Sequence, residues 1–205
     1  MGEPAAVREG HGDTRRARGE ARRRRIFQAL HDCVIEKGYT RITLADIAEG
    51  AGMSASHLLY YFPSKEHILE QYFENVSEKF LSRISEPGTP DARERIERLA
   101  DLWFRGEAST RSEIGFMLEC FGAAVHNDVL RVTKAEFDHR CKTLLCEIFA
   151  AAPGCYLRDQ DDAAEVAYSM MIGLRSAVYF DNDMDLTSAH RIFRDTLFKI
   201  AELTP

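Results

Sequence analysis

The stretch SASHLLYYFPSKEHIL, residues 54–69, gathers the side chains best equipped to meet a polar partner. Ser54, Ser56, His57, Tyr60, Tyr61 and Lys65 supply hydroxyls, an imidazole, phenols and an ammonium around the apolar and aromatic run Leu58–Phe62. A short helix from Ser54 to about Tyr60, stopped ahead of Pro63 because the residue before proline disfavours helical geometry, sorts them into two sides. Leu58, Tyr61 and Phe62 fall on one side, to pack on Leu30, Leu44 and Ile47. Ala55, Ser56, His57 and Tyr60 are left on the other. Small and hydrogen-bonding groups on a short exposed helix suit the major groove of DNA, which admits a helix and offers base-edge donors and acceptors. Thr43 and Ser54 begin helices, where backbone N–H groups and a hydroxyl make a phosphate-binding geometry. Lys65 begins the next helix, where the dipole opposes a cation and a neighbouring phosphate would answer it.

The elements that must hold these groups are helical. Ile26, Ala29, Leu30, Cys33 and Val34 recur with amphipathic helical spacing, and Gly38 ends that helix as a C′ glycine. Leu44, Ile47, Ala48 and Ala51 repeat the spacing in a second, short helix. Thr43 stands at its N-cap with Asp46 three residues on, close to a capping box, and Gly52 closes it. Ser54 caps the third helix. Ser64 caps a long one whose apolar face is Leu69, Tyr72, Phe73, Val76, Phe80 and Ile84. PGTP, residues 87–90, is the clearest break. Five helices follow, at about 91–108, 112–126, 128–152, 160–181 and 186–203, with Asp91, Asp128 and Asp159 as caps or first-turn acids. No strand pattern competes and no internal repeat is present. The expected fold is all-α with about nine helices. A flexible Arg-containing arm (1–20) precedes a helix-turn-helix head (21–66) and a helical body (67–205).

Composition narrows the class. The chain has 205 residues, 45% of them hydrophobic and 29% charged. No apolar run approaches the roughly 18–20 residues of a membrane span, and the N-terminus lacks the apolar region of a secretory signal. The five cysteines form no CxxC and no zinc-finger spacing. They read as reduced thiols in a cytoplasmic protein. A net charge of −6 argues mildly against a nucleic-acid binder, but its distribution matters more. Residues 1–65 carry 11 Lys/Arg against 8 Asp/Glu (+3), and residues 66–205 carry 16 against 25 (−9). An acidic body would keep the bulk of the molecule off DNA while the head binds; carboxylates that aid solubility would look the same. Arg15, Arg16, Arg18 and Arg22–Arg25 form either an arm that follows phosphates or enters the minor groove, or a solvated helix start and a disordered tail.

The combination ITLADIAEGAGMSASHLLYYFPSKEHIL resembles the DNA-binding signature of the TetR family of bacterial regulators. The matching positions are Gly38–Tyr39, Thr43, Ile47–Ala48, Ala51–Gly52, Ser54, Leu58, Tyr61–Phe62, Ser64–Lys65 and Leu69, within residues 22–70. The resemblance implies phosphate contacts from Thr43, Tyr61 and Lys65, and base-edge positions for Ala55, Ser56, His57 and Tyr60, with Ser54 at the start of the reading helix. Two positions depart from the family: Ala55 replaces a frequent lysine, and Leu59 a very common tyrosine.

The body is rich in large apolar residues. Gly106, Gly115 and Gly122 interrupt its helices at roughly 1 kcal/mol each against alanine. This fits either close helix packing or an internal pocket. The pocket candidates are Trp103, Phe104, Phe116, Met117, Cys120, Phe137, Tyr168, Met171 and Arg175, with Glu119 as a second polar group. They suit a hydrophobic or aromatic effector, or an organic cation held over aromatic faces. Ala189, Ile192, Phe193, Thr196, Leu197 and Ile200 form a stripe on the last helix, and Gly173, Leu174 and Ala177 lie on the one before. Both stripes either close the subunit's own core or build a four-helix dimer interface; the resemblance implies the homodimer.

The function implied is a ligand-responsive transcriptional regulator, a repressor that binds a palindromic operator as a dimer and is released when a small molecule tilts the long connecting helix. The alternatives are a helical protein-interaction module, or an activator without an inducer. Asp181, Asp183 and Asp185 have calcium-loop spacing, but Leu186 and Ile192 stand where the loop needs glycine and glutamate. His126 and His139 are isolated. No cofactor, metal site or membrane partner is expected. Without a phosphate loop, nucleophile elbow or HExxH, neither is an enzyme.

Overall fold

The computed structural model describes residues 10–84, 91–106, 109–157 and 159–203, without the side chains of 10–16, 77, 79–81 and 83–84. The described residues form nine α-helices and no strand: α1 (Gly10–Lys37), α2 (Leu44–Gly50), α3 (Ala55–Tyr61), α4 (Lys65–Ile84), α5 (Ala92–Phe104), α6 (Arg111–Ala124), α7 (Asp128–Ala150), α8 (Gln160–Phe180) and α9 (Leu186–Ile200). Among them no helix is long and apolar enough to cross a membrane. The PGTP break and residues 1–9 of the expected arm lie outside the described residues. From Gly10 the rest of that arm is helical and continuous with α1. Two compact units result, Met1–Leu69 and Glu70–Pro205, with α4 contributing to both.

In the first unit, α2 packs on α1 and α3 on α2. The α1 stripe Ile26, Ala29, Leu30, Cys33 and Val34 is buried, as its spacing requires, and Phe27 joins it. Gly38 and Gly52 hold φ of 78° and 67°, a left-handed region that side chains with a Cβ seldom enter. At Gly52 this closes α2 tightly: Gly52 N–H donates to Glu49 O (3.0 Å) and Met53 N–H to Ala48 O (2.9 Å), the paired bonds of a Schellman end.

In the second unit, α7 packs on α8, α9 on both α5 and α8, and α6 on α7 and α8. Five side chains cap five helices by accepting a backbone N–H: Asp91, Thr110, Asn127, Asp159 and Asp185. The aspartate-rich run is thereby accounted for. Asp181 accepts from Asp183 N–H (2.9 Å) in a turn, and Asp185 caps α9. The core centres on Phe193, whose ring lies 5.4 Å from both Trp103 and Phe104. Gly115 is a close-packing site: a Cβ there would come within 2.8 Å of the Tyr179 ring. Cys33, Cys120 and Cys141 are buried free thiols, whereas Cys146 and Cys155 are half-exposed.

The α9 stripe corrects the interface expected from sequence. Ala189, Phe193, Leu197 and Ile200 are buried within their own subunit and present no surface to a partner. Of the residues expected at the interface, Leu174, Ala177, Ile192 and Thr196 are half-buried and Gly173 is exposed. Phe193→Ala should therefore cost about 3–5 kcal/mol of unfolding free energy, read from urea denaturation. Phe193→Asp should abolish the folded state rather than yield a folded monomer.

Candidate nucleic-acid interface

α2 and α3 have seven residues each, too few for an isolated helix to persist in water. Their ends are fixed by specific partners. Thr43 Oγ1 accepts from Asp46 N–H (3.2 Å), Thr43 N–H donates to Asp46 Oδ2 (2.8 Å), and the Thr43 hydroxyl donates to the same carboxylate oxygen (2.6 Å). Lys37 Nζ, at the end of α1, adds a 2.7 Å ion pair to Asp46 Oδ1. Lys37 and the two Thr43 donors hold the Asp46 carboxyl well below the usual carboxylate range. At α3, Ser54 Oγ accepts from His57 N–H (3.2 Å). The hydroxyls of Thr43 and Ser54 thus cap their own helices, although both residues are exposed.

α3 is anchored by Leu58, which is fully buried, and by Phe62, whose ring lies 6.3 Å from Phe27. Ala55, Ser56, His57 and Tyr60 are exposed, and Tyr60 is 81% accessible. Tyr61 corrects the two-sided reading. It does not join Leu58 and Phe62 in the core but is 39% exposed, and its hydroxyl accepts a hydrogen bond from Arg22 Nη1 on α1. Its ring centroid is 5.4 Å from His57 and 5.1 Å, edge-on, from Tyr60. The outer face of α3 is therefore a small aromatic cluster tied to α1. Sequence reasoning singled out Arg22 only as one of a run of arginines, since nothing in spacing alone marks a contact 39 residues away.

Lys65 also has a role that spacing did not reveal. Its Nζ donates to Tyr39 O and Ile42 O, each at 3.0 Å, and lies 4.8 Å from the Tyr39 ring centroid. The cation at the start of α4 is thus answered by two carbonyls of the α1–α2 turn and a ring face. It locks that turn to α4.

In the second unit the expected pocket residues separate into two groups. Trp103, Phe104, Tyr168 and Met171 belong to the central core, with Phe137 half-buried against it. The Tyr168 hydroxyl donates to Asp138 Oδ1; burial first, then this bond, pushes the phenol's pKa up. Phe116 and Cys120 lie apart from that core cluster, and Met117 is half-buried. Phe116 meets the α4 residue Tyr72 edge-on at 4.9 Å, and Phe137 lies 6.3 Å from Phe73. Arg175 is buried and donates from Nη1 to Trp103 O (2.7 Å). Burial lowers its pKa to about 10, against the pull of Glu113. The same Glu113 charge reinforces the effect of burial in raising the Tyr72 phenol's pKa. Glu119, by contrast, is exposed. Tyr72 and Glu113 are the polar groups that sequence reasoning missed. Tyr72 reads as one more apolar position on α4, and Glu113 lies in the first turn of α6.

Residues 26–72 match the family of bacterial regulatory proteins, tetR family. Residues 92–201, more than half of the chain, match the C-terminal region of BetI-type transcriptional repressors. The chain belongs to the TetR family. Curated relatives include the nucleoid occlusion factor SlmA of Mannheimia succiniciproducens, 40% identical over 65 residues, or 31% of this chain and 30% of that protein. SlmA of Vibrio vulnificus is 37% identical over 84 residues, 40% of this chain and 43% of that protein. The chain thus matches less than half of the length of these relatives. Solved structures that share the fold include two regulators. A transcriptional regulator from Rhodococcus sp. Rha1 superposes with a TM-score of 0.76 at 16% identity, covering 89% of this chain and 99% of that one. A transcriptional regulator from Saccharomonospora viridis in complex with choline gives 0.75 at 23% identity, covering 87% and 96%.

Within this TetR-family head, both departures from the signature lie at the surface: Ala55 is exposed and Leu59 is 50% accessible. The Asp46 cap generates a pH signature. A carboxyl whose pKa is lower folded than unfolded stabilises the fold above the unfolded value, near 4. That contribution is lost as pH falls through the folded value. The stability gap between the wild type and Asp46→Asn, followed by urea midpoints, should be constant from about pH 7 to 5 and shrink below about pH 4.

Proposed function

We propose that the protein is a ligand-responsive transcriptional repressor. It binds a palindromic operator in the bacterial cytoplasm as a homodimer and is released by a small molecule. The observation that carries this reading is α3 itself, a capped short helix whose inner side is anchored by Leu58 and whose outer side offers Ser56, His57 and Tyr60 to solvent. Those residues, with Ala55, are assigned to base edges. Thr43, Ser54 and Tyr61 are assigned to the phosphate backbone, and Lys65 supports them by fixing the α1–α2 turn.

The effector site is assigned to the second unit, around Tyr72, Glu113, Phe116 and Arg175. Edge-on rings and a nearby carboxylate suit an organic cation, and choline, bound by the Saccharomonospora regulator, is the first compound to try. Effector binding would act through α4, whose residues run from the first unit into the second. To shift the population from 1:99 to 99:1, the effector must prefer one state about 10⁴-fold.

Selection from a random duplex library should return a palindrome whose half-sites lie about one turn apart, roughly 34–36 Å. Choline should then lower the affinity measured by fluorescence anisotropy. A library that yields no enriched duplex overturns the DNA reading, whereas an operator indifferent to choline overturns only the effector class.

The dimer is assigned to the accessible parts of α8 and α9, namely Gly173, Leu174, Ala177, Ile192 and Thr196. Gly173 is exposed, and a Cβ there would meet nothing within 4 Å in its own subunit. Bulk at this point should therefore disturb only a partner. Gly173→Glu should leave the melting of the fold intact and halve the mass seen by light scattering; an unchanged mass moves the interface elsewhere.

A further inference from the structure

The contact between Arg22 and Tyr61 joins a side chain in the middle of α1 to one at the end of α3. Arg22 Nη1 donates to the Tyr61 hydroxyl oxygen, and its guanidinium carbon lies 5.4 Å from the ring centroid. A phenol has one proton to give and oxygen lone pairs to accept with. Because Arg22 fills an acceptor position, the hydroxyl proton is left to point away from α1. A hydroxyl that accepts from a cation is also polarised into a better donor. Tyr61 therefore presents a proton, and it suits an acceptor-only partner. Of the groups a duplex offers, a phosphate oxygen is such an acceptor.

The same ring is the common neighbour of His57 and Tyr60, at 5.4 and 5.1 Å. Edge-on and tilted aromatic pairs have a preferred geometry, so fixing one ring restrains the other two. Nothing else described on the outer face of α3 ties this cluster to α1. The helix under it is held by the Ser54 cap and by Leu58, both of which set its backbone and leave these rings free to turn.

We propose that Arg22 is a positioning residue for the DNA-facing side of α3: it orients the Tyr61 hydroxyl as a donor to a phosphate oxygen and holds the His57–Tyr60–Tyr61 cluster in one arrangement. This rests on the DNA-binding function proposed above. It separates Arg22 from Arg23, Arg24 and Arg25, which are exposed and suit direct, non-specific attraction to a duplex. It also gives Arg22 a distinct energetic signature. A direct phosphate contact would contribute on its own and raise the salt dependence by about 0.9 in log K against log salt. A positioning contact acts only through the Tyr61 hydroxyl, so its loss and the loss of that hydroxyl are the same loss.

The test is a double-mutant cycle on the full chain with the duplex enriched by wild-type protein, using Arg22→Ala, Tyr61→Phe and the pair, each checked for wild-type thermal melting. Arg22→Ala and Tyr61→Phe should each weaken binding about five- to tenfold, as expected for one hydrogen bond. The double variant should be no weaker than the weaker single one. Arg22→Ala alone should broaden the selected sequences at the base pairs that depend on His57 and Tyr60, and in the Tyr61→Phe background it should change neither the salt slope nor the selected sequences. Arg23→Ala serves as the contrast, lowering the slope without altering sequence preference. Additive losses, or a slope reduced by Arg22→Ala in the Tyr61→Phe background, would make Arg22 a direct phosphate contact and overturn the proposal. A wild-type protein that enriches no duplex overturns the proposal together with the DNA reading, whereas additivity on an enriched duplex overturns the proposal alone.

Discussion

Two seven-residue helices cannot sustain themselves in water, because nucleating a helix fixes several residues before many hydrogen bonds repay the lost entropy. The head of this protein is organised around that constraint. Each short helix depends on its end groups and on a few buried side chains: Thr43, Asp46 and Lys37 at the start of α2, the Schellman end at Gly52, then Ser54, Leu58 and Phe62 for α3. Lys65 completes the frame by binding the carbonyls of Tyr39 and Ile42. Polar groups that looked available to a ligand are therefore largely engaged in making the surface rigid. The groups that remain accessible are carried on that frame, and a rigid frame is what recognition requires of residues that must meet fixed donor and acceptor positions.

The second unit is built by another balance. Long helices make their own backbone bonds, so their arrangement is set by how side chains fill the space between them. Phe193 between Trp103 and Phe104 sets one packing centre. The buried Arg175 bound to the Trp103 carbonyl inserts a charge close to it. A buried cation must be hydrogen-bonded or paired to be tolerable, which makes this part of the core sensitive to what lies near Glu113 and Tyr72. The acidic composition of residues 66–205 fits a body that stays off DNA while the more basic N-terminal part approaches it.

Much of this was legible from residue order, for a local reason. Amphipathic spacing, capping residues and left-handed glycines act over at most a few residues. The nine helices, the α1 stripe, the capping box at Thr43–Asp46, the glycines at 38 and 52 and the break at Pro63 could therefore be read directly. Arginines spaced along residues 15–25 looked like an arm because their composition is polar, but composition does not oppose a helix once α1 has started, and the helix extends back to Gly10. The aspartates after α8 had metal-loop spacing by coincidence; their carboxylates form a turn and a cap.

The sequence by itself determined the order and approximate bounds of the helices after the start of α1, that α3 carries a polar exposed side, and that the head resembles the TetR signature. Tertiary structure decided which of several equivalent-looking residues each side uses. Tyr60 and Tyr61 are neighbours of the same type, yet it is Tyr61 that accepts the hydrogen bond from Arg22 while Tyr60 is 81% accessible. Phe193 and Ile192 both read as stripe positions, yet only Phe193 is fully buried against α5. Arg175 and Glu119 both looked like pocket polar groups, yet one is buried and the other exposed. Helical periodicity assigns a residue to a face to within about a quarter turn. Pairings between residues tens of positions apart then choose among the neighbours on that face, and one chain's residue order carries no local mark of them.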